Sequence, residues 1–211
     1  MSFMNRMLAK TYKYPRAMTH DVAVEKDMKI PMPDGAVLLA NRYYPRLPGK
    51  RPTFVFSTVY YERMKGLQAG PIAEQGFNVL VVSSRGSFGS TGEYSPFLSE
   101  RADAKWIIEW LKKQDWFNGE ICAGGFSYTS YSGWAIAEQA GPMLKVISTK
   151  CAGSNFRDML YSGDALFLEV FLFWMDSSYA QQKSTIDRLK VLSGNDRRRE
   201  LALHLPLAEL E

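Results

Sequence analysis

A chain of 211 residues with 46% hydrophobic and 23% charged residues can bury one sizeable core, which excludes a disordered or low-complexity polypeptide. The net charge of +4 is mild and scattered. The one basic run, Arg197-Arg198-Arg199, reads as a solvated face, without the aromatic interleaving of a nucleic-acid patch. The longest apolar run, Ala165 to Met175, is broken by Glu169 and is too short to span a bilayer.

The first residues, Met1 to His20, carry Arg6, Lys10, Lys13 and Arg16 without an apolar segment, so they read as a surface arm and not a secretory signal. The two cysteines, Cys122 and Cys151, each sit in a run that reads as a buried strand. They are expected to be small buried hydrophobes in a reducing, cytoplasmic setting. No Cys/His spacing fits zinc, and neither metal nor cofactor is expected.

From Asp21 the pattern turns to strands. Lys29 to Met32 and Val37 to Tyr44 flank the turn Pro33-Asp34-Gly35, which predicts an antiparallel hairpin at a sheet edge. Thr53 to Val59 and Phe77 to Val82 are continuous apolar strands, with a helix over Leu67 to Gln75 closed by Gly76. A Gly/Ser-rich loop leads to a helix capped by Ser99, with Trp106, Ile107, Trp110 and Leu111 on one face. The loop Asp115 to Gly119 precedes a further strand, a helix ending near Ala140-Gly141-Pro142, and the strand Leu144 to Cys151. Strand and helix alternate, so a mostly parallel sheet with helices on both faces is predicted. Sites in such sheets lie outside the carboxyl ends of the strands, so the loops after Val59 and Val82 should converge with the one at Ser127. After Gly153, helices are expected over Asp164 to Gln182, Ser184 to Leu192 and Asp196 to His204.

The stretch Glu120 to Ser130 has the layout of a nucleophile elbow: an apolar run, two glycines, Ser127, then a helix opening at Tyr128. A serine hydroxyl becomes a useful nucleophile when it is exposed, beside a base, and next to N–H groups that stabilise an oxyanion. A tight strand-to-helix turn supplies the exposure and a helix N-terminus. Thr129 stands where Gly-x-Ser-x-Gly has its second glycine, so that motif is broken as written. A serine N-cap on an ordinary helix fits the same stretch.

Taken in order, the motifs resemble the α/β-hydrolases of the X-Pro dipeptidyl-peptidase and cocaine-esterase type, which include the α-amino-acid ester hydrolases. Met32-Pro33-Asp34-Gly35 with Leu38-Leu39-Ala40 and Tyr44-Pro45 is similar to the family's opening hairpin. Tyr60 is similar to its Pro-Tyr signature, with Val59 in place of proline. Gly76-Phe77, Arg85-Gly86, Ser90, Gly92 and Phe97 are similar to its Arg-Gly loop, with Ser83 where aspartate is usual. Asp103, Trp110-Leu111 and Trp116 to Gly119 follow the pattern, and Gly125-Phe126-Ser127-Tyr128 is similar to the nucleophile motif. Leu144 to Ile147 and Leu205-Pro206-Leu207 also have counterparts. The resemblance implies an α/β-hydrolase fold with an N-terminal antiparallel hairpin, truncated within a helical cap. It implies Ser127 as nucleophile, with the Tyr128 backbone N–H and the Tyr60 hydroxyl as the oxyanion hole; Tyr61 is the alternative donor. A phenol is a neutral donor that can strengthen its hydrogen bond as charge develops.

The family places its acid and histidine on loops after later strands. Here His204 is the one histidine after Ser127, and Asp158, Asp164, Asp176, Asp187 and Asp196 are the aspartates beyond the last predicted strand, none on a strand-following loop. His204 reads as a helix-borne cap residue and His20 as a surface residue. The expected organisation is an arm at residues 1–20, the first part of a hydrolase core at 21–153, and the start of a helical cap at 154–211. Two functions stay open: a serine hydrolase of acyl bonds (ester, amide or X-Pro peptide), or a non-catalytic hydrolase-like interaction module. The expected partners are a small-molecule or peptide acyl substrate and either a missing C-terminal half or a second copy of the chain. Neither nucleic acid nor membrane is expected. A nucleotide-binding reading fails because residues 124–130 hold no Gly-x-Gly-x-x-Gly and no P-loop lysine.

Overall fold

The computed structural model describes residues 13–60, 62–153 and 155–183, with isolated positions nearer each end. It forms two compact units, Met1–Ala152 and Gly153–Glu211. The first is built on a six-stranded sheet in the order β1-β2-β4-β3-β5-β6. Its strands are β1 (Val22–Pro31), β2 (Val37–Pro45), β3 (Arg51–Thr58), β4 (Asn78–Ser83), β5 (Phe117–Phe126) and β6 (Leu144–Lys150). The hairpin β1-β2 is antiparallel and joins the sheet antiparallel to β4. The pairs β3–β4, β3–β5 and β5–β6 are parallel, as strand-helix alternation requires. The helices are α1 (Glu62–Glu74), α2 (Glu100–Leu111) and α3 (Tyr128–Ala140).

Residues on a strand point alternately to opposite faces, and β4 uses both. Leu80 and Val82 face α2 and α3 in a core with Ile30, Leu38, Val55, Ile107, Ile108, Leu111 and Ile136. Val79 and Val81 face the other way, with Phe56, against Ala69 and Ala73 of α1. A strand covered on both faces must be apolar throughout, which is why this run lacks alternation.

Several expectations need correction. The hairpin's first strand begins at Val22, and a bulge between Glu25 and Met28 holds Asp27 at φ 56°. α1 starts at Glu62; its first turn, Glu62 to Gly66, carries no apolar stripe to mark it. On α2 the inward face is Glu100, Asp103, Ala104, Ile107, Ile108 and Leu111, while Trp106 is exposed. Ser99 stands at the N-cap position of α2, but its hydroxyl makes no cap bond. β5 begins at Phe117, inside the expected loop. Cys122 is buried in β5, yet Cys151 is exposed: it stands outside the expected strand, one residue past the end of β6, at φ 56°.

In the second unit α4 (Phe156–Leu160) is capped by Asn155, whose side chain accepts from Arg157 N at 3.0 Å. The two-residue strands β7 (Tyr161–Ser162) and β8 (Ala165–Leu166) then pair antiparallel. The helix α5 spans Leu168–Lys183, so it starts later than Asp164. Asp164 stands in the turn between β7 and β8, where its carboxylate meets Arg157. The helices expected over Ser184 to Leu192 and Asp196 to His204 lie outside the described residues. Among the described residues, no helix is long and apolar enough to cross a membrane.

Candidate active site at the carboxyl edge of the sheet

Ser127 follows β5 directly and stands at the N-cap position of α3 with φ 57° and ψ −127°, its hydroxyl making no cap bond. A non-glycine residue in this region stores about 1–3 kcal/mol of strain, which neighbouring bonds must hold. Ser127 N donates to Lys150 O at 2.9 Å, tying the turn to the end of β6, and Ser130 N donates back to Ser127 O at 2.8 Å. Gly125 has φ 152°, and a Cβ there would collide with Thr129.

Thr129 is the residue that broke the expected motif, and it fits. Its hydroxyl accepts from Phe126 N at 2.7 Å and donates to Phe126 O at 2.8 Å. The space it fills is the one Gly125 leaves empty. Ser130 donates to Lys150 O at 2.9 Å and accepts from Lys150 N at 3.0 Å. Ser132 donates to Ser57 O at 2.7 Å and accepts from Ser57 N at 3.1 Å, where β3 has parted from β5. These hydroxyls fasten the start of α3 to three strand ends.

Tyr60 follows β3, and its hydroxyl stands 3.4 Å from Ser127 Oγ. Its ring meets that of Tyr128 edge-on at 6.1 Å. Tyr128 opens α3, where backbone N–H groups have no partner within the helix. The structure therefore brings Ser127, Tyr128 and Tyr60 together at the carboxyl edge of the sheet. The side chain of Tyr128 has a different place: it is buried, its hydroxyl donates to Glu100 Oε1, and Ser84 Oγ lies 3.3 Å from that hydroxyl. Desolvation first, and then Glu100, push the Tyr128 pKa well up, so it stays a phenol. Phe97, at φ 72°, packs edge-on against Tyr128 and Tyr131 at 4.9 and 5.0 Å.

The Arg85 loop reaches the same edge through Ser84, but Arg85 itself turns to the hairpin. Arg85 Nε donates to both carboxylate oxygens of Asp103 at 2.8 Å, and Nη1 donates to Asp34 Oδ2 at 2.6 Å. The bond to Asp103 is the main influence raising the Arg85 pKa. Gly86 has φ 64° with Tyr94 N close by, so a side chain there would strike the backbone.

His20 pairs with Glu74 at 3.6 Å, at the C-terminal end of α1 and so at the opposite edge of the sheet. Tyr61, His204, Asp187 and Asp196 lie outside the described residues, while Asp158 and Asp176 ride on α4 and α5. Sequence reasoning missed Glu100. Its signal was the spacing 100, 103, 104, 107, 108, 111, which puts two acids on the apolar face of α2.

Residues 34–211 match the X-Pro dipeptidyl-peptidase (S15) family. The chain belongs to that family. The S15 match takes in α1–α3, β2–β6 and the second unit, and it starts at the hairpin tip. A curated relative is the cocaine esterase of Rhodococcus sp. (strain MB1 Bresler), 28% identical over 160 residues. That alignment covers 72% of this chain and 28% of the relative. A CocE/NonD family hydrolase from Staphylococcus aureus superposes with a TM-score of 0.64 at 23% identity, over 83% of this chain and 36% of that one. An α-amino acid ester hydrolase superposes with a TM-score of 0.52 over 64% and 26%. These likenesses establish the α/β-hydrolase fold, and this S15 chain spans about a third of the relatives it matches.

Proposed function

We propose that this hydrolase-family chain carries the nucleophile half of a serine hydrolase acting on acyl bonds, whether ester, amide or X-Pro peptide. The observation that carries the reading is the 3.4 Å approach of the Tyr60 hydroxyl to Ser127 Oγ at a strained strand-to-helix turn. Ser127 attacks the acyl carbon. The Tyr128 N–H and the Tyr60 hydroxyl receive the oxyanion. A base must take the Ser127 proton, and an acid must orient that base. The sole described histidine of the first unit, His20, is at the far edge, so both groups are assigned to residues outside those described. The reaction needs no metal or cofactor.

The rival reading, a non-catalytic interaction module, drew on Thr129, Ser83 and the missing base. The bonds from Thr129 to Phe126 remove the first of these, since they stabilise the turn. Ser83 remains unexplained.

The test supplies the base from solution. The chain is incubated with a fluorophosphonate across pH and imidazole concentration, and the adduct is mapped by mass spectrometry. Slow labelling that imidazole accelerates, confined to Ser127 and abolished in Ser127→Ala, is expected. Labelling absent under every condition, or spread over surface serines, would favour the interaction module.

A further inference from the structure

A carboxyl lies beneath the elbow, and the mechanism above leaves it without a role. Glu100 is the first residue of α2 and only 4% exposed. Oε1 accepts from the Tyr128 hydroxyl, and Oε2 is buried with no hydrogen-bond partner among the described residues. The Ser84 hydroxyl meets the same phenol at 3.3 Å. The end of β4, the head of α2 and the head of α3 are thus joined at one side-chain tip.

We propose that Glu100 is a positioning residue of the elbow: it grips the Tyr128 hydroxyl and thereby fixes the Tyr128 backbone N–H beside Ser127 Oγ. This rests on the reading of Ser127 as the nucleophile. A tyrosine has two side-chain torsions, so a ring pinned at its tip and packed on its faces leaves the Cα little freedom. Phe97 at 4.9 Å and Tyr60 at 6.1 Å supply that packing. The grip therefore reaches the backbone at the position where an oxyanion donor must be held still.

The chemistry of the contact suits a neutral carboxyl. Desolvation first, with a smaller push from Asp103, raises the Glu100 pKa against the pull of the Tyr128 hydrogen bond. Arg85 on the neighbouring loop is engaged by Asp103 and Asp34 and not by Glu100. Tyr94 and Tyr131 are further titratable neighbours of this network, both phenols, and Arg101, which acts on Tyr131, is engaged by Glu138. A protonated carboxyl keeps a carbonyl oxygen to accept from Tyr128, and so does the amide of glutamine.

The test uses fluorophosphonate labelling with imidazole, resolved into kinact and KI, on the full chain and four variants: Glu100→Gln, Glu100→Leu, Tyr128→Phe and the double Glu100→Leu/Tyr128→Phe. Glu100→Leu and Tyr128→Phe are each expected to lower kinact by about tenfold to a hundredfold with KI unchanged. The double variant should fall no further than either single one, because both remove the same grip. Glu100→Gln should stay within about twofold of the parent, since the acceptor is kept. If Glu100→Leu fails to fold, Tyr128→Phe and Glu100→Gln carry the comparison. Parental kinact in Tyr128→Phe, a Glu100→Gln loss as deep as Glu100→Leu, or losses that multiply in the double variant would each overturn the proposal. An unlabelled parent chain would sink the nucleophile reading and the positioning role together. A labelled parent with unaffected variants would sink the positioning role alone.

Discussion

At the scale of single residues, Thr129 shows how a departure from a motif is accommodated. Gly-x-Ser-x-Gly uses its second glycine for space, and here the space comes from Gly125. The threonine hydroxyl then satisfies both backbone groups of Phe126. Thr129→Val keeps the shape and removes those bonds, leaving a backbone donor and acceptor unpaired at the strand end. It should destabilise the fold by about 1–3 kcal/mol, read by urea denaturation. Glu100 predicts a pH effect. Its folded pKa is raised above the ordinary 4.5, so the folded chain holds that proton more tightly than the unfolded one. The resulting stability is complete below the ordinary value and is lost as pH rises through the raised folded value. Glu100→Gln has no proton to lose. Thermal melts from acid to alkaline pH should show the parent losing stability relative to this variant as pH rises; parallel profiles would refute it.

At the scale of elements, the fit of α3 onto β5 depends on two residues without side chains. A Cβ on Gly133 would stand 2.5 Å from Gly124 Cα, and one on Gly124 would run into Ser148 O. Gly133→Ala suits a helix by propensity but must push α3 away from the strand that positions Ser127. It should cost about 1–3 kcal/mol in chemical denaturation and slow labelling of Ser127. The helices and strands themselves were legible because hydrophobic period is a local property. On α2 only Trp106 was misplaced on the inward face, because it is apolar by type; Ile107, Trp110 and Leu111 do pack on the core, while the buried positions at the helix head are the acids Glu100 and Asp103. An acid at the start of a helix reads as a complement to the helix dipole. Only its neighbours reveal that it is buried.

At the scale of the whole molecule, Arg85 joins the hairpin to the helical layer. Its guanidinium spans Asp34 at the tip of β1-β2 and the buried Asp103 of α2. Arg85→Met would leave the Asp103 charge buried without its partner, a loss on the order of 3 kcal/mol in urea denaturation. Asp34→Ala, at an exposed carboxylate, should change stability far less. The other edge of the sheet carries its own consequence. Val146 on β6 is 52% exposed, and β6 pairs on one side only among the described strands. Such an edge invites a further strand. Sedimentation should show concentration-dependent association of this chain, reduced by Val146→Lys.

The sequence by itself determined the order of elements, the parallel sheet with its antiparallel hairpin, the serine turn and the S15 resemblance, since each is written in local period, glycine placement or an ordered set of motifs. Tertiary structure alone decided what meets at the carboxyl edge. Tyr60 and Ser127 are 67 positions apart, and Glu100 and Tyr128 are 28 apart. Their contacts follow from strand order and helix docking, which no local pattern encodes. The exposure of Cys151 was likewise decided by the fold: β6 ends at Lys150, and Cys151 stands just past it at φ 56°.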